Sequence, residues 1–402
     1  MNLIQRPFYQ NKIEKNLGKN TIIILTGQRR VGKSFLLRML RDKVMAEGLG
    51  NVIFIDKEKS EFDNISSYQE LNKYIENHLD KTRKNFILID EIQDIKDFEK
   101  SLRNYYEDDD VEIVVTGSNS RMLSSDLSTL IGGRYKEIHI FPLSYPEFLE
   151  FNHLKDSDAA LIKYINRGGL PGMILRGDDE SEIREYQRDV YNTALLKDII
   201  MRNEIRNAPF LENLVKYLAD NTGKLVSASN ISKFMNSSGN PVTTSAILSY
   251  LKYLCEAFLV ERVGRFDIHG KRLFESNDKY YFEDHGIRNA ITGGKREGDI
   301  EKVIENIVYS HLIRAGYDVK VGQLRNGEID FVATKHDGNR AYIQASYIIG
   351  NQDTYNREFG NLKAIQDNYP KYVVSVSPLL NESEDEGIRH LHLRKFLMEG
   401  IK

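Results

Sequence analysis

The stretch Gly27-Gln28-Arg29-Arg30-Val31-Gly32-Lys33-Ser34 carries residue types at a spacing that can do chemistry. It fits the pattern G-x-x-x-x-G-K-[S/T]. Glycines in such a loop let consecutive backbone N–H groups close around phosphate oxygens. A helix starting at its end adds the partial positive charge of its N-terminus. Lys33 would reach the β- and γ-phosphates, the Ser34 hydroxyl would ligate Mg²⁺, and the run from Gly27 through Phe35 would line the nucleotide. ATP and Mg²⁺ are the expected cofactors. A second candidate is Phe86-Ile87-Leu88-Ile89-Asp90-Glu91. Its apolar residues bury a strand, and its two acids cap the C-terminal end, where ligands of open α/β sheets bind. Asp90 can hold Mg²⁺ through water, and Glu91 is placed to polarise the water that attacks the γ-phosphate.

These residues need elements to hold them. Thr21-Ile22-Ile23-Ile24-Leu25 runs into the first glycine and reads as a short buried strand. Phe35 to Leu40 with Val44 supply apolar positions at helical spacing until Gly48 ends the run. Val52-Ile53-Phe54-Ile55-Asp56 is a second strand, followed by a helix over 67–80 with Tyr68, Leu71, Tyr74, Ile75 and Leu79 on its inner face. Glu112 to Thr116 reads as a further strand that ends in the small polar groups Gly117, Ser118 and Asn119, and residues 137–141 make a fifth. The first 20 residues read as a polar lead-in with some helix.

Composition bounds the rest. At 402 residues the chain predicts two to four domains. A net charge of −3 gives no global basic field, so any nucleic-acid site must be a local patch. The one cysteine, Cys255, lies in an apolar helical run, which excludes an intramolecular disulfide and a cysteine-based zinc site and fits the cytoplasm. No stretch approaches the roughly 18 apolar residues of a membrane span, and the N-terminus lacks a signal-peptide core.

The paired arginines of the phosphate loop, the string Ile89-Asp90-Glu91-Ile92-Gln93, Thr116-Gly117-Ser118-Asn119, Gly132-Gly133-Arg134 and Phe141-Pro142-Leu143-Ser144 with Glu147-Phe148 together resemble a particular group. It is the bacterial and archaeal AAA-type ATPases, near the STAND ATPases, that carry a C-terminal domain of unassigned role. Gly168-Gly169-Leu170-Pro171 and Lys197-Asp198-Ile199 are similar to that group's helical region. The resemblance implies an α/β P-loop NTPase fold of the AAA/ASCE kind, with an extra strand between those of the two nucleotide motifs. It also implies that Ser118 or Asn119 senses the γ-phosphate. Arg134, on its glycine-rich loop, is then a candidate arginine finger acting in cis or across subunits.

Residues 145–205 read as a helical lid region, interrupted by Gly168, Gly169 and Pro171. Over 208–264 three helices and a hairpin follow in winged-helix order, with Phe258-Leu259-Val260 and Tyr280-Tyr281-Phe282 as wing strands. The stretch 206–275 has nine Lys or Arg against six Asp or Glu, a local charge of +3. Yet the helix in the recognition position opens Thr243-Thr244-Ser245 and has no basic residue before Lys252, so DNA contact and protein contact both stay open. Lys271 and Arg272 are the basic pair before the possible wing.

The last segment resembles the restriction-endonuclease-like, PD-(D/E)xK-like α/β fold, with a helix from Ile304, strands at 318–321, 328–333 and 341–347, a helix over 356–368 and a strand at 372–376. That resemblance puts Glu305, Asp330 and the triplet Gln344-Ala345-Ser346 in the metal-site positions. Ser346 stands where a lysine would stabilise the phosphorane charge, and Gln344 offers an oxygen without charge, so the site reads as degenerate. The expected domains are an ATPase at 1–144, a helical lid at 145–205, a winged-helix-like region at 206–284 and a nuclease-like domain at 285–402. The expected function is ATP hydrolysis that switches the later domains toward an unknown protein partner or DNA, in a possible homo-oligomer. An ATP-dependent DNA nuclease and a nucleotide-gated interaction module are the rival readings.

Overall fold

Ile22–Thr26 forms strand β1, and every residue in it is buried, because apolar side chains point to both faces of the sheet. In the computed structural model, which describes residues 4–120, 132–268, 277–293, 298–325, 327–377 and 384–401, β1 lies inside a five-stranded parallel sheet. The other strands are β2 (Asn51–Asp56), β3 (Asn85–Asp90), β4 (Val111–Thr116) and β5 (Tyr135–His139). Their order is β2-β3-β4-β1-β5, so β4 is the strand inserted between β1 and the acid-tipped β3. Helices α1 (Pro7–Glu14), α2 (Lys33–Glu47), α3 (Tyr68–His78) and α4 (Phe98–Tyr105) belong to the same unit. Local chemistry sets their ends. Gly48 closes α2 in the left-handed conformation, at φ 63°, and Ser67 with Glu70 forms a capping box at the start of α3. Ile24, Ile55, Ile89, Leu71, Ile75 and Leu102 meet in one apolar core between the sheet and α3 and α4.

By internal packing the chain divides into two units: residues up to Phe141 together with Glu256–Phe258, and Pro142–Cys255 together with Leu259–Lys402. The second unit opens with helices α5 (Tyr145–Phe151), α6 (Asp158–Arg167) and α7 (Glu180–Thr193), the last running on into a π-helical segment, Ala194–Met201. Three helices follow: α8 (Ala208–Asp220), α9 (Ala228–Ser237) and α10 (Thr244–Glu256). Strands β6 (Val260–Val263), β7 (Arg265–Asp267) and β8 (Lys279–Phe282) come next, and β6 and β8 pair antiparallel. After α11 (His285–Ile291) and the long α12 (Asp299–Arg314) come β9 (Asp318–Leu324), β10 (Gly327–Thr334), β11 (Arg340–Ala345) and α13 (Gln352–Lys363). Then β12 (Lys371–Ser375), β13 (Glu384–Asp385), β14 (Ile388–His392) and α14 (Leu393–Glu399) complete the chain.

The C-terminal α/β region is built on a seven-stranded sheet in the order β13-β14-β12-β11-β10-β9-β7. Its edge strand β7 comes from the stretch expected to belong to the preceding region, and it pairs parallel to β9 through Arg265↔Val321, Phe266↔Gly322 and Asp267↔Gln323. A division at residue 284 therefore crosses a continuous hydrogen-bonded sheet. One of the side chains that tie the hairpin β6–β8 to α12 bonds its backbone directly. Asn306, fully buried, accepts from the Phe282 N–H at 2.8 Å and donates to the Phe282 carbonyl at 2.8 Å. Asn306→Leu would strand both backbone groups in the core. The expected loss is about 2–4 kcal/mol of stability, read as a lower urea midpoint at unchanged m-value.

Candidate nucleotide-binding site

The phosphate loop is set by its backbone. Gly27 adopts φ 133°, and a Cβ there would run into the Ile140 carbonyl, because the segment after β5 bonds back to β1 through Ile140 N–H to Thr26 O at 2.8 Å. Gly32 adopts φ 104° at the N-cap of α2, so Lys33 and Ser34 begin the helix and Phe35 lies in its first turn, half exposed. Arg6 braces the loop from behind, donating to Val31 O and to Phe141 O at 3.0 Å each, while itself buried. From sequence that stretch reads as a polar lead-in with some helix, and a lone arginine before a proline carries no signal of the role of Arg6.

Lys33 is buried, and its ammonium donates to the carbonyls of Gly27 at 2.8 Å and Gln28 at 2.9 Å. Arg29 lies within 3.8 Å of Glu58, and Arg30 takes a left-handed φ of 67° in the crown of the loop. The acids expected opposite are there. Asp90 ends β3, fully buried, with Thr116 Oγ1 donating to its Oδ1 at 2.5 Å and Ser34 hydrogen-bonded to the same carboxylate. Burial pushes the Asp90 carboxyl up to about 6, against the pull of the Thr116 and Ser34 hydroxyls and with the charges of Glu91 and Asp56 adding to the rise. Glu91 follows in the left-handed region at φ 53°. Burial raises its carboxyl too, but the charges of Lys33 and Arg29, with hydrogen bonds from Gln93 and Ser118, outweigh that and hold it below the ordinary carboxylate range. Ser118 Oγ donates to Glu91 Oε2 at 3.2 Å, Gln93 donates to the same oxygen, and Asn119 is buried beside Ser118 in sequence.

Lys33, Ser34, Asp90, Glu91 and Ser118 are thus brought to one end of the sheet, and Thr116 and Gln93 join them. Both of these lay within strings the sequence reading had singled out, but neither was given a role. Asp56 at the end of β2, paired with Arg38 at 3.1 Å, adds a further carboxylate on the same edge. The donor set fits a nucleotide with Mg²⁺. A hydroxyl and a carboxylate suited to a hard cation already touch, and among the described residues the Gln28 amide and Asp90 Oδ2 are buried with no hydrogen-bond partner.

Arg134 requires a correction. Its carbonyl accepts from Ile22 N–H, so it stands at the N-terminal end of β1 and β5, the opposite end of the sheet from Gly27. Five strand residues separate the two ends, roughly 17 Å at 3.4 Å per residue, and the guanidinium bonds locally to Tyr106 OH at 2.7 Å and Glu107 at 3.2 Å. It does not serve this chain's own phosphate loop in cis. Of the loop that holds it, Ile131 lies outside the described residues, as do Lys271 and Arg272.

In the second unit Glu305 of α12, Asp330 of β10 and Gln344 of β11 do come together. Asp330 N–H donates to Gln344 Oε1 at 3.3 Å, Asp330 Oδ2 accepts from Ala345 N–H at 2.9 Å, and burial with the neighbouring Glu305 charge raises the Asp330 carboxyl well above its ordinary value. Ser346 is buried just past β11, its N–H donating to Val374 O at 2.9 Å. Sequence reasoning missed Lys279, whose ammonium reaches Glu305, Glu328 and Asp330 from β8.

The sheet order, the glycine loop between β1 and α2 and the acid pair on β3 define an AAA-type P-loop ATPase unit, and residues 19–149 match the AAA domain family. Residues 158–298 match a family described as a domain of unknown function. An uncharacterized protein of Haemophilus influenzae is 32% identical over 405 residues, spanning 99% of each chain, and this chain belongs to the same family as that protein. An uncharacterized protein of Methanocaldococcus jannaschii is 28% identical over 371 residues, 88% of this chain and 81% of that one. Among solved structures, Cdc6p of Pyrobaculum aerophilum aligns with a TM-score of 0.32 and 14% identity over 72% of this chain and 94% of its own. DnaA of Aquifex aeolicus bound to AMPPCP aligns with a TM-score of 0.31 and 15% identity over 62% and 86%. Among the described residues, no helix is long and apolar enough to cross a membrane.

The raised carboxyl of Asp90 has a stability consequence whose sign is fixed. Its folded-state value lies above the unfolded one, so its contribution to stability is complete below about 4 and is lost as pH rises through about 6. Near pH 7.5 the nucleotide-free protein carries a desolvated carboxylate, and Asp90→Asn should raise its stability by roughly 1–3 kcal/mol. The same substitution should weaken Mg²⁺-dependent nucleotide binding by about tenfold or more. Melting curves at pH 5 and 7.5, and nucleotide titration with and without Mg²⁺, read the two effects separately.

Proposed function

We propose that this chain binds ATP with Mg²⁺ in the first unit and hydrolyses it. The single observation that supports this best is the junction of Lys33, Ser34, Asp90 and Glu91 at one end of the sheet, with Glu91 held ionised by Lys33 and Arg29. Lys33 would turn from the loop carbonyls to the β- and γ-phosphates, while Ser34 and Asp90 would hold Mg²⁺. The metal, when bound, would neutralise charge that develops on the phosphates. Glu91 would orient the attacking water and accept its proton, and Ser118 or Asn119 would report whether a γ-phosphate is present. Arg134, exposed at the far edge, is left to a neighbouring copy of the chain in a homo-oligomer.

The nucleotide state would act as a switch on how the winged-helix-like segment and the degenerate nuclease-like region are presented to a partner. Protein contact is favoured over DNA for the three-helix segment by one observation. Leu248 on α10, the helix in the recognition position, is 50% exposed, apolar surface where a groove-reading helix would carry polar or basic side chains. ATPase assays test the core of the reading. Lys33→Ala should abolish ATP binding, and Glu91→Gln should retain binding while hydrolysis falls by about 10²-fold or more. Hydrolysis at the wild-type rate in Glu91→Gln would remove Glu91 from its assigned role.

A further inference from the structure

In the second unit three carboxylates converge on one ammonium. Lys279 Nζ lies 2.6 Å from Glu328 Oε1, 3.1 Å from Glu305 Oε1 and 3.9 Å from Asp330 Oδ1, and its side chain is only 4% exposed. The acids come from separate elements, α12 and β10, while the lysine opens β8 in the small hairpin. The oxygens around it are already engaged. Glu305 Oε1 also accepts from Tyr281 OH at 2.6 Å, and Asp330 Oδ2 accepts from Ala345 N–H at 2.9 Å. Gly223, at φ 76°, stands so close to Glu305 that a Cβ on it would meet both carboxylate oxygens, so backbone walls the cluster on that side. Glu358 adds negative charge nearby. It bears on Asp330, while its own Oε1 is paired with Arg357 at 2.7 Å.

Such a group of acids demands a cation, and in water a divalent ion would be a strong candidate. A tethered ammonium has two advantages over a free ion. Its entropy of capture is met by folding, since Asn306 already fixes β8 against α12, and it carries its own hydrogen-bond donors to the oxygens. We propose that Lys279 is the resident cation of the Glu305–Glu328–Asp330 cluster, filling a latent divalent-metal site and turning it into an ion-pair joint between the β6–β8 hairpin and the C-terminal sheet. The proposal does not depend on the nucleotide reading, because every residue in it lies in the second unit. It also identifies a residue from outside the sheet, rather than the serine at position 346 alone, as what sets the chemistry of this cluster.

Mn²⁺ is the probe, used on the full-length, nucleotide-free chain with Asp90→Asn present throughout to silence the phosphate-loop metal position. With Lys279 in place, 1 mM Mn²⁺ should move the melting temperature by less than about 1 °C. Lys279→Met should raise it by several degrees at the same concentration, as expected for a site with a Kd about tenfold or more below the added metal. The rise should vanish in Lys279→Met/Asp330→Asn, which assigns it to the cluster. A Lys279→Met protein that folds only when Mn²⁺ is added supports the proposal equally. A folded Lys279→Met protein indifferent to Mn²⁺ overturns it. So does a Mn²⁺ response with Lys279 present that Asp330→Asn abolishes, and this last comparison decides the matter even if Lys279→Met never folds. That outcome would return the cluster to the nuclease reading.

Discussion

Charge taken out of water must be answered within a few ångströms or given up to a proton. In the first unit Lys33, Asp90 and Glu91 are all buried, and each is answered differently. Lys33 leans on the carbonyls of its own loop, Glu91 on Lys33 and Arg29, and Asp90 on two hydroxyls that do not fully compensate it. The imbalance at Asp90 is what an incoming cation would relieve. A site that was fully satisfied without ligand would have nothing to gain from binding one.

The second unit solves the same problem internally. Its most crowded acids meet a lysine from a neighbouring hairpin, and another deeply buried cation, Arg288, donates to the Ala219 carbonyl and lies 3.3 Å from Asp299. These pairs link elements that are distant in sequence. They bring little net stability for the charge they bury, but removing one partner leaves the other stranded. They act chiefly as constraints on which elements can pack together.

How much of this was legible in the sequence follows from distance along the chain. The order strand, glycine loop, helix is local, so the spacing from Thr21 to Gly48 was enough to locate β1, the loop and α2. The acid tip of β3 and the polar end of β4 were equally local. Arg6 and Lys279 act across 25 and 26 or more positions, on Val31 and on Glu305, and nothing in their immediate neighbours marks them. The cis alternative for Arg134 was hidden for a related reason. Gly132-Gly133-Arg134 gives a loop with an arginine, but which end of the sheet that loop occupies depends on the direction of β5 relative to β1, and a parallel pairing puts it away from the phosphates. In the C-terminal region Glu305, Asp330 and Gln344 were singled out through the resemblance of the helix–hairpin–strand order to a known fold, and the hydrogen bonds of Asp330 with Gln344 and Ala345 then join β10 to β11.

Strand β7 carries a different lesson. Three residues between β6 and β8 leave the small hairpin, lie along β9 as the last strand of the large sheet, and belong by sequence to one region and by hydrogen bonding to another. A fragment beginning after residue 284 would uncover the edge of β9 at Val321–Gln323, a ready template for pairing with a second molecule. The strand segment after the three helices and the C-terminal sheet therefore share one hydrogen-bonded edge that neither completes alone. A covalent cut between them would trade an intramolecular strand pairing for an open edge that only a new cover or a second chain could fill.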